Sequence, residues 1–391
     1  MAAEDTAVGA ALSLQNITKR YGDFVAARDL CIDIEPGEFV TLLGPSGSGK
    51  TTTLNMIAGF VDISDGQILL DGRPIGDLPP YRRNIGMVFQ QYALFPHMTA
   101  FENVAFPLKQ RKVPKDELRR RVQEALAMVR LDDFGARYPR QLSGGQQQRV
   151  AFARAMVFSP QVLLMDEPLG ALDKKLREWL QLEIRRIHRE VGITFVYVTH
   201  DQEEALVLSN RIAVFNEGRI EQIGTAEDLY ERPETLFVAE FIGESNLFPG
   251  RVTGSGDYVD VAADGYRVRA PANTRLTEGS RAVVVVRPER LHVVTEGRAG
   301  DDNVLEAVVR QIIYLGSARK LELEFADGRH GRVREPAGAS SDLGEGDRTR
   351  VAWAPDEGVL LAEQEVHLPE MEDIPLTDAA APAASATRAG P

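Results

Sequence analysis

Short apolar runs alternate with longer helical patterns over the first two thirds of the chain, and the pattern changes near Phe241. Leu12-Ser13-Leu14, residues 30–34 and Phe39–Leu43 read as strands, with Pro36-Gly37 turning between the last two. A helix then runs through Leu54, Ile57 and Ala58 and stops at Gly59. Residues 67–70, flanked by Asp65-Gly66 and Asp71-Gly72, form a hairpin strand, and residues 85–89 another strand. Residues 97–158 read as mainly helical; Leu118, Val122, Leu126 and Val129 follow the helical period. Residues 162–165 are apolar on both faces, as a buried parallel strand should be. A helix from about residue 174 to 190 leads to the strand 194–198. Alternating strand and helix predict an α/β sheet with crossover connections. From Phe248 to about Leu361 the pattern is short strands separated by turn dipeptides such as Asp264-Gly265 and Asp327-Gly328. Leu321, Leu323 and Phe325 alternate with Glu322 and Glu324, and residues 283–286 read as a buried strand. That region is expected to be a small, barrel-like all-β domain. Residues from about Glu370 lack apolar periodicity and are expected to be a disordered tail.

The apolar run Phe39–Leu43 is followed by Gly44-Pro45-Ser46-Gly47-Ser48-Gly49-Lys50-Thr51. Strand, Gly-rich turn and helix make this a phosphate-binding loop in its required context. The glycines let successive N–H groups point at one anion, and the helix opening at Lys50 adds its positive end. Lys50 reaches the outer phosphates, and Thr51 places a hydroxyl on Mg²⁺. The substrate is therefore a nucleoside triphosphate. Asp166-Glu167 follow the buried strand, at the carboxyl end where ligands collect in open α/β sheets. Asp166 can hold Mg²⁺ through its water shell, and Glu167 can orient or deprotonate an attacking water. Ser143 reads as a helix N-cap beside Gly144 and Gly145, which bare backbone N–H groups to make a second anion site. Asp201 and Glu204 read as a capping box, a structural role.

Composition narrows the class. At 391 residues, two or three domains are expected, and 43% hydrophobic content is that of an ordinary globular protein. No apolar stretch approaches a spanning helix, and the first ten residues, with Glu4 and Asp5, do not read as a secretory signal. The net charge of −13 leaves neither half with the basic excess of a nucleic-acid binder. The single cysteine, Cys31, excludes an internal disulfide, fits a reducing compartment and is expected in the core beside Leu30 and Ile32.

Taken with the phosphate loop, Leu142-Ser143-Gly144-Gly145-Gln146 followed by Gln147-Gln148-Arg149 resembles the signature of the ABC-type ATPases, over roughly residues 12–240. The resemblance implies a P-loop (RecA-like) α/β ATPase domain over 1–240 with a helical subdomain at about 97–158. It implies an OB-like regulatory β domain over 241–365 and leaves the tail at 366–391. It implies ATP and Mg²⁺ as cofactors, with Tyr21 stacking on adenine and Thr52 completing the nucleotide contacts. Gln90 matches the glutamine that senses Mg²⁺ and faces the membrane partner. Asp173 matches the segment that crosses the dimer interface, although Gly170 replaces the serine common there. His200 matches the switch histidine on the γ-phosphate. In such ATPases two copies meet head to tail, each phosphate loop facing the other copy's signature. Closure of this homodimer drives integral-membrane permease subunits at the cytoplasmic face of the cell membrane, and indirectly serves an extracytoplasmic solute-binding protein. The stretch Tyr92-Ala93-Leu94-Phe95-Pro96-His97-Met98-Thr99 is similar to the permease groove of importers, with Leu94 and Phe95 partly in the groove and Val104 and Phe106 in the core.

Arg287-Pro288-Glu289 looks like a piece of the importers' regulatory domain, and Ile242-Gly243-Glu244-Ser245-Asn246 leads into it. Thr51-Thr52-Thr53-Leu54, Met56-Ile57-Ala58-Gly59-Phe60 and residues 167–173 look closest to the spermidine/putrescine branch. Ferric-iron, sulfate and sugar-phosphate import are the alternatives. A soluble, non-transport ABC ATPase is expected to carry a coiled coil, tandem cassettes or a basic arm, none of which is evident. A small-molecule phosphotransferase has no use for the Ser143 signature.

Overall fold

The computed structural model describes residues 9–170, 174–294, 303–339 and 341–364. Asp173 and the expected tail at 366–391 lie outside the described residues. Strands β1 (Leu12–Tyr21) and β2 (Phe24–Ile34) pair antiparallel. Then β3 (Phe39–Leu43) runs into the phosphate loop and α1 (Lys50–Ala58). The hairpin β4 (Asp65–Leu70) and β5 (Arg73–Pro74) joins the first two strands in a four-stranded sheet, ordered β2-β1-β4-β5. Strand β6 (Ile85–Val88) precedes three helices, α2 (Ala100–Gln110), α3 (Lys115–Met128) and α4 (Gly144–Met156). The chain returns through β7 (Val162–Asp166), α5 (Lys174–Val191), β8 (Thr194–Thr199), α6 (Gln202–Leu208), β9 (Arg211–Asn216) and β10 (Arg219–Gly224). Helices α7 (Ala226–Glu231) and α8 (Leu236–Phe241) follow. The central sheet has order β10-β9-β3-β8-β7-β6; all its neighbours are parallel except β10 and β9.

Both faces of this sheet are covered, which explains why its strands read as continuous apolar runs. On β7, Val162 and Leu164 face the β1–β2 layer and α1, packing with Leu14, Ile32 and Leu54. Leu163 and Met165 face the helices, packing with Val104, Val150 and Ile184. The same period of two corrects the expectation for Cys31. Leu30, Ile32 and Ile34 take the buried face of β2, so Cys31 points to the opposite face and is exposed.

The described part of the chain after α8 forms two five-stranded antiparallel sheets around one core. Its strands are β11 (Asn246–Thr253), β12 (Tyr258–Ala263), β13 (Tyr266–Pro271), β14 (Arg281–Val286), β15 (His292–Val293), β16 (Asn303–Tyr314), β17 (Ala318–Phe325), β18 (His330–Pro336), β19 (Arg348–Trp353) and β20 (Gly358–Ala362). One sheet runs β13-β12-β11-β14-β20 and the other β15-β19-β16-β17-β18. Asp264-Gly265 makes the two-residue turn between β12 and β13, closing the pair Ala263 with Tyr266. Trp353 stacks on Phe248 at 4.8 Å in the shared core. On β14, Val284 and Val286 enter that core, whereas Val283 and Val285 pack on Leu236 and Ala239 of α8. The buried Arg287 guanidinium donates to the carbonyls of Tyr230 and Ala239 and to the Ser245 hydroxyl. A strand of the β region is thus seated on the last helix before it.

Candidate functional site

The site is built where β3, β7 and β8 end side by side. Chain reversal after β3 needs glycine at two points. Gly49 sits at φ 101°, and a Cβ there would lie 2.5 Å from the Ala26 carbonyl oxygen. A Cβ on Gly44 would strike the Phe215 carbonyl oxygen. Lys50 then opens α1, with its side chain folded back into the loop. It is 4% exposed, and its Nζ donates to the Gly44 and Pro45 carbonyls at 2.8 and 2.7 Å and to Ser48 Oγ at 3.4 Å. Burial lowers the Lys50 pKa, opposed by Glu167 and Asp166.

Beside the loop, Thr51 Oγ1 donates to Asp166 Oδ1 at 3.1 Å. Burial raises the Asp166 pKa; the Thr51 hydrogen bond opposes this, Glu167 adds to it and Lys50 opposes it. Glu167 has φ 42°, a left-handed conformation costing ~1–3 kcal/mol for a residue with a Cβ. Its N–H donates to the Val198 carbonyl at 3.0 Å, tying the turn to β8. The turn places the carboxylate between two partners: Gln90 Nε2 donates to Oε2 at 3.0 Å, and His200 Nδ1 lies 3.3 Å from Oε1. Tyr21, Phe24, Ser46, Gly47, Ser48, Gly49, Lys50, Thr51, Thr52, Gln90, Asp166 and Glu167 line one open cleft of about 480 Å³. Residues up to 146 positions apart are therefore assembled around one cleft.

The signature residues stand elsewhere. Ser143 caps α4 by accepting from Gln146 N–H at 3.3 Å, while Gln146 Oε1 accepts from Ser143 N–H at 2.9 Å. Ser143 and Gly144 are exposed, and none of residues 143–146 lines the phosphate-loop cleft. The two helix ends expected from the sequence to bind anions therefore do not meet within one chain.

Two expectations need correction. Asp201 caps α6, accepting from Glu204 N–H at 3.1 Å, but the Glu204 carboxylate does not return the bond. It turns inward and accepts from Tyr197 Oη at 2.7 Å and Thr199 Oγ1 at 2.8 Å, because two buried hydroxyls at the end of β8 need an acceptor. Phe106 is half-buried and packs on Phe95 at 4.7 Å, outside the core that takes Val104. Sequence reasoning also passed over Arg154. It is 9% exposed on α4 and donates to the Ala93 and Tyr92 carbonyls at 2.9 and 3.0 Å, clamping two consecutive left-handed residues at φ 42° and 58°. A charged residue within the apolar run 150–157 was the available signal.

A protein-family model described as ABC transporter matches residues 27–170, and one described as TOBE domain matches residues 284–361. The spermidine/putrescine import ATP-binding protein PotA of Rubrobacter xylanophilus is 52% identical over 350 residues, covering 88% of this chain and 91% of that protein. The chain belongs to the ABC transporter ATP-binding family. PotA of Acidothermus cellulolyticus is 49% identical, over 90% of this chain and 94% of that protein. Among solved structures, a post-hydrolysis dimer of the ATP-binding cassette MJ0796 bound to ADP and Pi is 38% identical with TM-score 0.50, covering 55% of this chain and 98% of that one. The cbiO1 cassette from Clostridium perfringens, part of an ABC transporter complex, is 30% identical with TM-score 0.53, covering 56% of this chain and 90% of that one. This ABC protein is an ATP-binding, ATP-hydrolysing cassette followed by a TOBE domain, in accord with the α/β and all-β classes read from its sequence.

Proposed function

We propose that this chain is the ATP-hydrolysing subunit of a spermidine/putrescine importer. It acts as a homodimer beneath integral-membrane permease subunits at the cytoplasmic face of the cell membrane, with an extracytoplasmic solute-binding protein delivering the cargo. The observation that carries the catalytic reading is the Glu167 carboxylate, held between Gln90 and His200 at the mouth of the phosphate-loop cleft. The names of the relatives support the polyamine cargo. No helix among the described residues is long and apolar enough to cross a membrane, which fits a subunit that borrows its membrane passage from a partner.

Lys50 Nζ exchanges its loop carbonyls for β- and γ-phosphate oxygens, and the N–H groups of residues 46–51 surround the same phosphates. Tyr21, half-exposed at the cleft edge, stacks on the adenine. Thr51 Oγ1 and Asp166 Oδ1 are hard oxygen donors in contact, and the described residues contain no cluster of three or more His, Cys, Asp or Glu that could form an all-protein cage. That donor set fits Mg²⁺, which takes one or two protein oxygens and completes its shell with phosphates and water; Gln90 stands beside them. Thr51 and Asp166 would hold it there, where it would supply positive charge against the phosphates. Glu167 takes a proton from a water whose oxygen bonds to the γ-phosphorus as the bridging bond to ADP breaks. Gln90 and His200 hold the carboxylate; Gln90 senses the metal and faces the membrane partner, and His200 contacts the γ-phosphate. Residues 143–146 of a second copy, with Asp173 at the seam, close over the cleft. A two-fold pair uses both anion sites of each chain.

Deleting the gene and measuring uptake of labelled putrescine and spermidine tests the cargo. Loss of both is expected; unchanged polyamine uptake with lost iron, sulfate or sugar-phosphate uptake would overturn it.

We further propose a division into an ATPase domain over 1–240 and a regulatory domain over 241–365. Truncation at Gly243 is expected to leave a chain that binds ATP within about threefold of the parent. It should melt lower, because Leu236 and Ala239 lose the cover of Val283 and Val285, at ~25 cal/mol per Å² of apolar surface exposed. Titration calorimetry and thermal melts check this; a truncated chain that is soluble yet binds no ATP would refute the division.

A further inference from the structure

A carboxylate with no part in the proposed hydrolysis lines the same small cavity as His200. Glu204 is 2% exposed and stands in the first turn of α6. Its Oε2 accepts from Tyr197 Oη and Thr199 Oγ1, at 2.7 and 2.8 Å. Both hydroxyls belong to β8, and Thr199 is the residue before His200. Thr199 Oγ1 also accepts from Asp201 N–H at 3.0 Å, so the residues on either side of His200 share one hydroxyl. Arg177, one turn into α5, reaches Asp201 Oδ2 at 3.2 Å and lies 3.8 Å from Glu204 Oε1. His200 itself is more than half exposed and lines that small cavity with Thr199, Asp201 and Glu204.

We propose that Glu204 is a positioning residue for ATP hydrolysis: with Tyr197 and Thr199 it fixes the strand-to-helix corner that aims His200 at Glu167 and the γ-phosphate. This rests on the hydrolytic roles given above to His200 and Glu167. A tyrosine in the otherwise apolar strand 195–198 is 0% exposed, and its hydroxyl needs a buried acceptor. A carboxylate accepting two hydroxyl bonds in a dry setting holds its donors more rigidly than a neutral acceptor would. Glu204 is the α6 side chain whose hydrogen bonds reach back to β8, through Tyr197 and Thr199. The same carboxylate lies 3.8 Å from Arg177 of α5, whose guanidinium also reaches Asp201.

Tyr197→Phe keeps the ring in the core and removes one of the two donors. Steady-state ATP hydrolysis by the full-length chain should show kcat lowered ~10-fold with KM for ATP unchanged, since an ångström of misplacement costs up to ~10²-fold. Thr199→Val, which removes the other donor at nearly the same size, should give the same split, and serves if Tyr197→Phe does not fold. The decisive measurement repeats each substitution in a His200→Ala background, by single turnover with enzyme in excess. If Glu204 acts through His200, neither substitution lowers the residual rate further. Equal fractional losses in both backgrounds, or unchanged kcat in the single variants, would overturn the inference and leave Glu204 a structural residue. A His200→Ala chain with parental turnover would instead overturn the role of His200, on which the inference depends.

Discussion

Glu167→Gln is expected to lower ATP turnover by ~10²–10⁴-fold, the usual worth of a general base. The substitution keeps size and reach. Its carboxamide oxygen can still accept from Gln90 Nε2, now at 3.0 Å from the carboxylate, but no atom of it accepts a proton from water. Nothing that grips ATP is altered: Lys50 stays buried in the loop, and the Thr51–Asp166 contact does not involve Glu167. ATP affinity should therefore stay within a few-fold of the parent. Blocking hydrolysis while binding persists removes the exit from the closed pair, so a dimer should accumulate in the presence of Mg-ATP. Gel filtration with light scattering reads this directly. Ser143→Arg supplies the control, because Ser143 is exposed on α4, away from the cleft of its own chain. Combined with Glu167→Gln, it should hold the chains apart without disturbing their own phosphate loops. A Glu167→Gln chain that turns over at the parental rate refutes the base assignment. One that binds ATP, fails to hydrolyse it and stays monomeric even with its membrane partners counts against the paired mechanism.

The elements of this site differ in how far the sequence revealed them. The phosphate loop was legible because its chemistry is contiguous: strand, glycines, Lys50 and Thr51 follow one another, and local backbone geometry does the rest. The β7 strand and Asp166 were legible because burial on both faces leaves a mark in composition. Cys31 was misplaced because an apolar neighbourhood was read without the period of two that sends Leu30 and Ile32 to one face and Cys31 to the other. The direction of Glu204 was hidden for a different reason. Asp201 at the N-cap and a glutamate three residues later satisfy the capping-box pattern, but the demand of Tyr197 and Thr199 for an acceptor is a tertiary fact and it prevails. The left-handed pair Tyr92-Ala93 carries no glycine to announce it; it exists because Arg154, some sixty residues on, supplies donors to both carbonyls. Contacts made across such separations are set by packing, and a single sequence records only one partner at a time.

Lys50→Ala should abolish turnover and remove most of the gain in stability that ATP confers. In the folded chain the three Nζ hydrogens are spent on Gly44, Pro45 and Ser48, neutral acceptors within the loop itself. Exchanging them for phosphate oxygens pairs the ammonium with anionic acceptors, in hydrogen bonds worth ~1.5–3 kcal/mol each. Losing ~3 kcal/mol of that is about a 10²-fold loss in affinity. The thermal consequence follows by mass action. At ATP 100-fold above the parental Kd, the parent gains ~2.7 kcal/mol of stability; a variant binding 10²-fold more weakly gains only ~0.4 kcal/mol at the same concentration. The ATP-dependent rise in melting temperature should therefore nearly vanish. Without nucleotide the variant should still melt cooperatively, because Leu54, Met56 and Ile57 of α1 remain packed in the core and Gly49 still turns the loop. Melts with and without Mg-ATP, run beside a turnover assay, separate the two effects. A variant that keeps both the parental ATP-dependent shift and parental turnover would place the phosphates somewhere other than this loop.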